Sequence, residues 1–325
     1  MKAVFCDLSE FELKEVDRFK SENPSLVIAE YSGDVSSIDQ KDHNASVISI
    51  FIDSKIDEKT LEGFPNLKFI LTRSTGLDHI DLNACKSRGI SVYSVPDYGS
   101  ETVAEFTFLL MLMLARRLNA SKAGTNRFAR GNDLEGKTLG IVGAGRIGTN
   151  VARIANAFGM KLLYNSHKNS EYIDSLGGKK MELNELLHNS DIVTLHVPLS
   201  DSTFHMINHD NIKSFKQGAY LINTARGAVI DTEALIEGLE SGVIGGAALD
   251  VVEGEEFAGK EMEVIRKKEN YEILKSVLET NVLSRFDNVI LTPHIAYNTA
   301  EAMQRIINHT LNDLLAIASG KTPSD

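Results

Sequence analysis

Gly143, Gly145 and Gly148 stand in GxGxxG spacing within Lys137-Thr-Leu-Gly-Ile-Val-Gly-Ala-Gly-Arg-Ile-Gly148, directly after an apolar strand and before a helical run from Ile147 to Phe158. That pattern suits the pyrophosphate of a dinucleotide. The first glycine permits a tight turn, the second lets main chain approach the phosphates, and the third lets helix pack closely on strand. The helix N-terminus, with Arg146 and Ile147 in its first turn, then offers unpaired N–H groups to the anion. A glycine turn alone carries little information; the strand before and the helix after supply it.

The next strand runs through Lys161-Leu-Leu-Tyr-Asn-Ser-His-Lys168 and should end near the adenosine ribose. NAD sites usually place a carboxylate there, about 20 residues beyond the motif. This chain offers Ser166, His167 and Lys168 instead. With no carboxylate to repel a 2′-phosphate and two cationic or ionisable donors beside it, NADP(H) is expected to be accepted as well as NAD(H). His205 and His209, four apart, could face a metal from one helix side, but no Glu or Cys of zinc-site spacing accompanies them, so they read as a polar helix start and no metal is expected.

An arginine, a glutamate and a histidine arrive in that order after three separate strands. They lie in Tyr220-Leu-Ile-Asn-Thr-Ala-Arg-Gly227, Leu249-Asp-Val-Val-Glu-Gly-Glu255 and Leu291-Thr-Pro-His-Ile-Ala-Tyr-Asn-Thr299. Taken singly, an Arg after a strand is usually a surface ion pair and a His after Pro a structural residue. Taken together with the glycine motif, the segments resemble the D-isomer-specific 2-hydroxyacid dehydrogenase family, and the resemblance covers essentially the whole chain. Leu71-Thr-Arg-Ser-Thr-Gly-Leu-Asp-His-Ile-Asp81, Val95-Pro-Asp-Tyr-Gly-Ser-Glu-Thr-Val-Ala-Glu105 and the long insertion between Glu255 and His294 look most like its D-lactate dehydrogenase branch.

The resemblance implies a hydride transfer between NAD(P)H and a small 2-oxo acid or its D-2-hydroxy acid. Arg226 would fork onto the substrate carboxylate and the C2 oxygen, a task for planar bidentate donors. His294 would be the acid in reduction and the base in oxidation, and Glu255 would orient its ring. Glu253 is kept as a structural carboxylate. Backbone N–H groups around Ser74, Thr75 and Gly76 would receive the carboxylate, with Phe51, Tyr98 and Tyr297 around the substrate. Val197, Pro198, Thr224 and Asp250 match cofactor positions, Asp250 facing the nicotinamide carboxamide. Phe106 stands where many relatives have His. Other readings stay open on the same scaffold: a reductase of glyoxylate, hydroxypyruvate or phosphoglycerate type, or a non-catalytic NAD(H)-sensing protein. The family's members also imply a homodimer, for which the apolar face of Val103 to Leu114 is the candidate contact.

These groups need a frame of α/β class, and β-branched runs alternate with helical patterns at Val47–Phe51, Phe69–Thr72, Leu139–Val142, Leu162–Tyr164, Ile192–Val197, Tyr220–Asn223, Gly246–Val251 and Val289–Leu291. Such alternation predicts parallel sheets covered by helices, here two Rossmann-like doubly wound domains with a cleft between them. Long helices at Glu101 to about Ala120 and Thr299 to about Ala318 bracket a complete series of strand and helix units. Residues 1–99 and 295–325 are therefore expected to form a discontinuous substrate domain, and 100–294 the dinucleotide-binding domain.

Composition agrees. A length of 325 residues fits two domains, and a formal net charge of −11 opposes nucleic acid. Cys6 and Cys85 form no CxxC, which suits a reducing cytoplasm. Met1 leads straight into a strand-like Ala3-Val4-Phe5 without the features of a signal peptide. The longest apolar run, Phe106 to Ala115, is about half of the roughly 20 residues that span a bilayer, so it reads as a buried helix and no membrane partner is expected. The Glu- and Lys-rich stretch Glu253 to Asn270 reads as a solvated helical insertion.

Overall fold

The computed structural model describes residues 1–118, 130–255 and 271–323. Most of the Glu253 to Asn270 stretch, and the last two residues of the helix expected to reach Ala120, lie outside the described residues. The chain forms two compact units, one of Met1–Tyr98 with Asn298–Asp325 and one of Gly99–Tyr297.

The first unit is built on five parallel strands, β1 (Lys2–Phe5), β2 (Val27–Glu30), β3 (Val47–Ile50), β4 (Phe69–Thr72) and β5 (Ser91–Ser94), in the order β2-β1-β3-β4-β5. Their apolar side chains alternate between two layers. Val4, Ile48 and Ile70 join Ile56 and Leu61 on one face; Ala3, Phe5, Val47 and Leu71 join Val16, Ile307, Leu311 and Leu314 on the other. Burial of both faces explains why β3 is apolar almost throughout. The helix Ala300–Ala318, capped by the Thr299 side chain, thus packs on the N-terminal sheet despite its distance in sequence.

Seven parallel strands form the second unit: β6 (Thr138–Val142), β7 (Lys161–Asn165), β8 (Lys179–Lys180), β9 (Ile192–Leu195), β10 (Ala219–Asn223), β11 (Ile244–Leu249) and β12 (Val289–Leu291). Their order is β12-β11-β10-β9-β6-β7-β8. Counted within the unit this is the dinucleotide-binding order 3-2-1-4-5-6 with one strand added, and its direction reverses between β6 and β9, where ligands of such sheets bind.

The helix Ser100–Ala115 buries Ala104, Phe108, Leu110, Met111 and Leu114 in the core of this second unit. Phe106 packs partly buried at its edge. The helix stops at Ala115, short of the expected end, because Arg117 turns left-handed at φ 50°. No helix among the described residues is long and apolar enough to cross a membrane.

Candidate active site

Each glycine of the phosphate motif shows its reason in the second unit. Gly143 follows β6 with φ 101°, and a Cβ there would meet the His196 carbonyl oxygen at 2.5 Å. A Cβ on Gly148 would fall 2.0 Å from the Gly143 carbonyl oxygen, whereas one on Gly145 meets nothing within 4 Å. Two glycines are therefore required by the protein itself and the third leaves an open approach to main chain. Gly145 heads the helix Arg146–Ala157 without any side-chain cap. An open main chain at an uncapped helix start fits a dinucleotide pyrophosphate. Burial pushes the neighbouring His196 imidazole down to about 3, so it is neutral and the helix end supplies the local positive potential.

Ser166 is half-buried past β7, and His167 and Lys168 are exposed. Lys180 ties this loop down, donating at 3.2 Å to both the His167 carbonyl and Asn169 Oδ1. Val197 is partly buried and Pro198 exposed after β9. Thr224 is buried, its hydroxyl 3.1 Å from that of Thr107.

Arg226, Glu255 and His294 sit beyond the carboxyl ends of β10, β11 and β12, three neighbouring strands. Asn223 fixes the first loop by donating to the Arg226 carbonyl at 2.8 Å and accepting from the Ala225 N–H at 2.9 Å. Gly227 lets this loop touch the next, since a Cβ there would lie 2.2 Å from the Val252 carbonyl carbon. Sequence reading passed over Asn223, although an Asn just after a strand commonly folds its side chain onto nearby main chain.

Glu255 accepts from the Val252 N–H at 3.3 Å through one oxygen, and the other lies 2.8 Å from His294 Nδ1. Its neighbour Glu253 is engaged elsewhere, 2.7 Å from His205 Nε2 and accepting from the Thr232 hydroxyl at 2.9 Å. His209 lies 3.1 Å from Glu237 and 3.6 Å from Asp231.

His294 adopts φ 51°, uncommon for a residue with a side chain, and Asp250 holds it there. The Asp250 carbonyl accepts the His294 N–H at 2.9 Å. Its carboxylate, in a residue only 1% exposed, accepts from the N–H groups of Ile295 (3.0 Å) and Ala296 (2.8 Å) and from the Thr292 hydroxyl (2.5 Å). Asp250, singled out as a cofactor contact, thus has both oxygens engaged by the histidine loop. Tyr297 stands edge-on to His294, ring centroids 6.1 Å apart at 81°.

The remaining substrate candidates belong to the first unit. Phe51 is 9% exposed, its N–H donating to Asp7 at 2.8 Å. Past β4, the Ser74 hydroxyl donates to the Gly76 carbonyl and that of Thr75 to the Val95 carbonyl. With both hydroxyls occupied, the loop's remaining donors are main-chain N–H groups. The Tyr98 carbonyl accepts from Arg305 at 2.7 Å. Beneath these loops Arg73, fully buried, bonds Glu12, Ser49 and the carbonyls of Cys6 and Asp7.

Residues 108–296 match the model of the D-isomer specific 2-hydroxyacid dehydrogenase NAD binding domain. The chain belongs to the D-isomer-specific 2-hydroxyacid dehydrogenase family. It is 39% identical to a glyoxylate reductase of Thermofilum pendens over 83% of this chain and 77% of that one. Identity to an aromatic 2-oxoacid reductase of Clostridium sporogenes is also 39%, over 82% and 81%. The D-lactate dehydrogenase of Aquifex aeolicus, solved with NAD and lactic acid, superposes with a TM-score of 0.86 at 37% identity, covering 98% of this chain and 96% of that one. The chain is thus an NAD-linked oxidoreductase of the 2-hydroxyacid dehydrogenase type, and the non-catalytic sensor reading is set aside.

Proposed function

We propose that the enzyme reduces a small 2-oxo acid with an uncharged side chain to the D-2-hydroxy acid, in the manner of a D-lactate dehydrogenase. The observation that carries this reading is the Glu255–His294 bond. An ionised carboxylate only accepts, so Nδ1 bears hydrogen and Nε2 is the nitrogen left to exchange a proton. Bound nicotinamide supplies or takes the hydride at C2. His294 then delivers a proton to the C2 oxygen in reduction and removes it in oxidation. Arg226 holds the carboxylate and polarises the C2 oxygen through parallel N–H bonds. Within the first unit, main chain at Ser74, Thr75 and Gly76 is the candidate receiver for a substrate carboxylate, with Phe51 and Tyr98 as further substrate candidates; within the second, Tyr297 is one. Val197, Pro198 and Thr224 line the cofactor, with Asp250 acting on it through the loop it closes.

Similarity to the Thermofilum glyoxylate reductase favours a second reading, with glyoxylate or hydroxypyruvate as substrate. A panel of pyruvate, phenylpyruvate, 2-oxobutyrate, glyoxylate and hydroxypyruvate with both reduced cofactors separates the two. The highest kcat/KM should fall on pyruvate or 2-oxobutyrate; a maximum at glyoxylate replaces the first reading by the second.

NADPH should serve at least as well as NADH, since Ser166 brings no negative charge and Lys168 and His167 bring donors. A homodimer through the helix Ser100–Ala115 is supported by Val103, Phe106, Leu109 and Met113, which follow one helix side and remain partly or largely exposed. Sedimentation at micromolar concentration should give the dimer mass, and a monomer there removes this assignment. The buried free thiols of Cys6 and Cys85 suit a reducing, cytoplasmic setting.

A further inference from the structure

The loop after β4 is secured from below by a line of hydroxyls that ends on a histidine. Thr72 Oγ1 lies 2.7 Å from Ser74 Oγ and 3.0 Å from His79 Nε2, and Ser74 Oγ donates to the Gly76 carbonyl at 2.7 Å. Thr72 and Ser74 are 1% and 3% exposed, so water does not compete for these bonds.

The positions of the protons follow from this geometry. A carbonyl only accepts, so the one hydroxyl hydrogen of Ser74 is committed to Gly76. Thr72 must then give its hydrogen to the Ser74 oxygen, because two oxygens 2.7 Å apart without a shared proton repel. With that hydrogen spent, the third bond has to come from the ring, and His79 Nε2–H is the donor. The His79 carbonyl in turn accepts the Ile56 N–H at 2.9 Å, which anchors its backbone.

We propose that His79 is a positioning residue for substrate: by donating through Thr72 and Ser74 it keeps the Gly76 carbonyl turned onto Ser74, so that no carbonyl oxygen is presented to an incoming carboxylate. A trans peptide directs its N–H opposite to its carbonyl, so pinning that oxygen also fixes the direction of the following N–H. This role rests on the reading of the Ser74–Gly76 loop as the carboxylate receiver.

The test compares His79→Leu, Thr72→Val and His79→Gln, using whichever 2-oxo acid of the panel is turned over fastest. The first two break the relay, Thr72→Val with almost no change of shape. KM should rise about 5- to 10-fold in both while kcat stays within about twofold, the signature of lost binding that is equal in ground and transition states. The NADH Kd, read by fluorescence, should not move. His79→Gln keeps an amide donor and should stay within about threefold of the parent KM. Unchanged KM in both relay-breaking variants, or a Gln variant no better than Leu, overturns the proposal. A crystal structure of the parent enzyme with NADH and oxamate separates the two levels. Oxamate carboxylate away from residues 74–76 removes the reading of the loop itself; carboxylate on the loop with an unmoved KM removes the relay alone.

Discussion

His294 Nδ1 lies 2.8 Å from the Glu255 carboxylate, which leaves Nε2 as the nitrogen available for the proton exchange proposed for this residue. Replacing His294 by Ala should lower kcat by about 10²- to 10⁴-fold, the usual worth of a positioned acid or base, with NADH binding almost unchanged. Glu255→Gln keeps an acceptor but loses the charge, so its loss should be smaller, about tenfold or somewhat more. Steady-state kinetics and a fluorescence titration of NADH check both. Parent-like turnover in the Ala variant would take His294 out of the proton path.

Arg226→Lys should fail in substrate handling. One ammonium cannot reproduce two parallel bonds, so kcat/KM is expected to fall about 10²-fold, with the larger part in KM. An unchanged kcat/KM would show that another group holds the carboxylate.

Asp250→Asn tests the strained histidine loop. An amide NH2 would face the N–H of Ile295 or Ala296, donor against donor. We expect a cost of about 1–3 kcal/mol in stability from the lost partner, and a lower kcat as His294 leaves φ 51°. Thermal melting together with kcat reads both. If neither changes, this carboxylate does not hold the loop.

Much of this was legible from pattern. The strands Phe69–Thr72 and Val289–Leu291 were bounded correctly, because buried parallel strands are apolar on both faces and stand out as runs. The strands β5 and β8 were passed over for the converse reason, and β2, Val-Ile-Ala-Glu, is a short strand at a sheet edge. β8 is two exposed lysines at a sheet edge, and β5 reads Ser-Val-Tyr-Ser with no apolar run. The Glu255–His294 bond spans 39 positions and Arg73–Glu12 spans 61. Arg226, Glu255 and His294 were singled out together through family resemblance, while Arg73 lay within a quoted motif without a role, since its partners meet only after folding.

Ser166→Asp should turn the cofactor preference. A carboxylate there repels a 2′-phosphate and bonds ribose hydroxyls, so the NADPH-to-NADH ratio of kcat/KM is expected to fall about tenfold, roughly 1.4 kcal/mol. A parent enzyme already strongly selective for NADH, with a ratio unmoved by the exchange, would show that the Ser166–Lys168 segment was misread.

Arg73→Met should destabilise the fold. The guanidinium and the Glu12 side chain are 0% and 4% exposed, so removing one charge strands the other, at about 3–5 kcal/mol. Denaturant unfolding measures it, and a loss under about 1 kcal/mol would mean that the pocket admits water or relaxes around Glu12.

Of the three strands that carry Arg226, Glu255 and His294, β11 and β12 pair with Ala247 opposite Val289, Ala248 opposite Ile290 and Leu249 opposite Leu291, and β10 pairs with β11 from Tyr220 opposite Gly246 to Asn223 opposite Leu249, after an irregularity at Ala219. The three candidate catalytic residues therefore hang from one edge ruled by the sheet, with a pitch of about 4.8 Å between strands. Loop length beyond Glu255 is uncoupled from that pitch, so the segment between the glutamate and β12 is free to diversify without displacing His294 relative to Arg226. Sliding β12 by one residue on β11 would instead carry His294 about 3.3 Å along the strand, farther than the hydrogen bond it shares with Glu255 can stretch. Residues as remote from the candidate site as Val289 and Ile290 thereby act as the clamp that keeps the proposed proton donor on station.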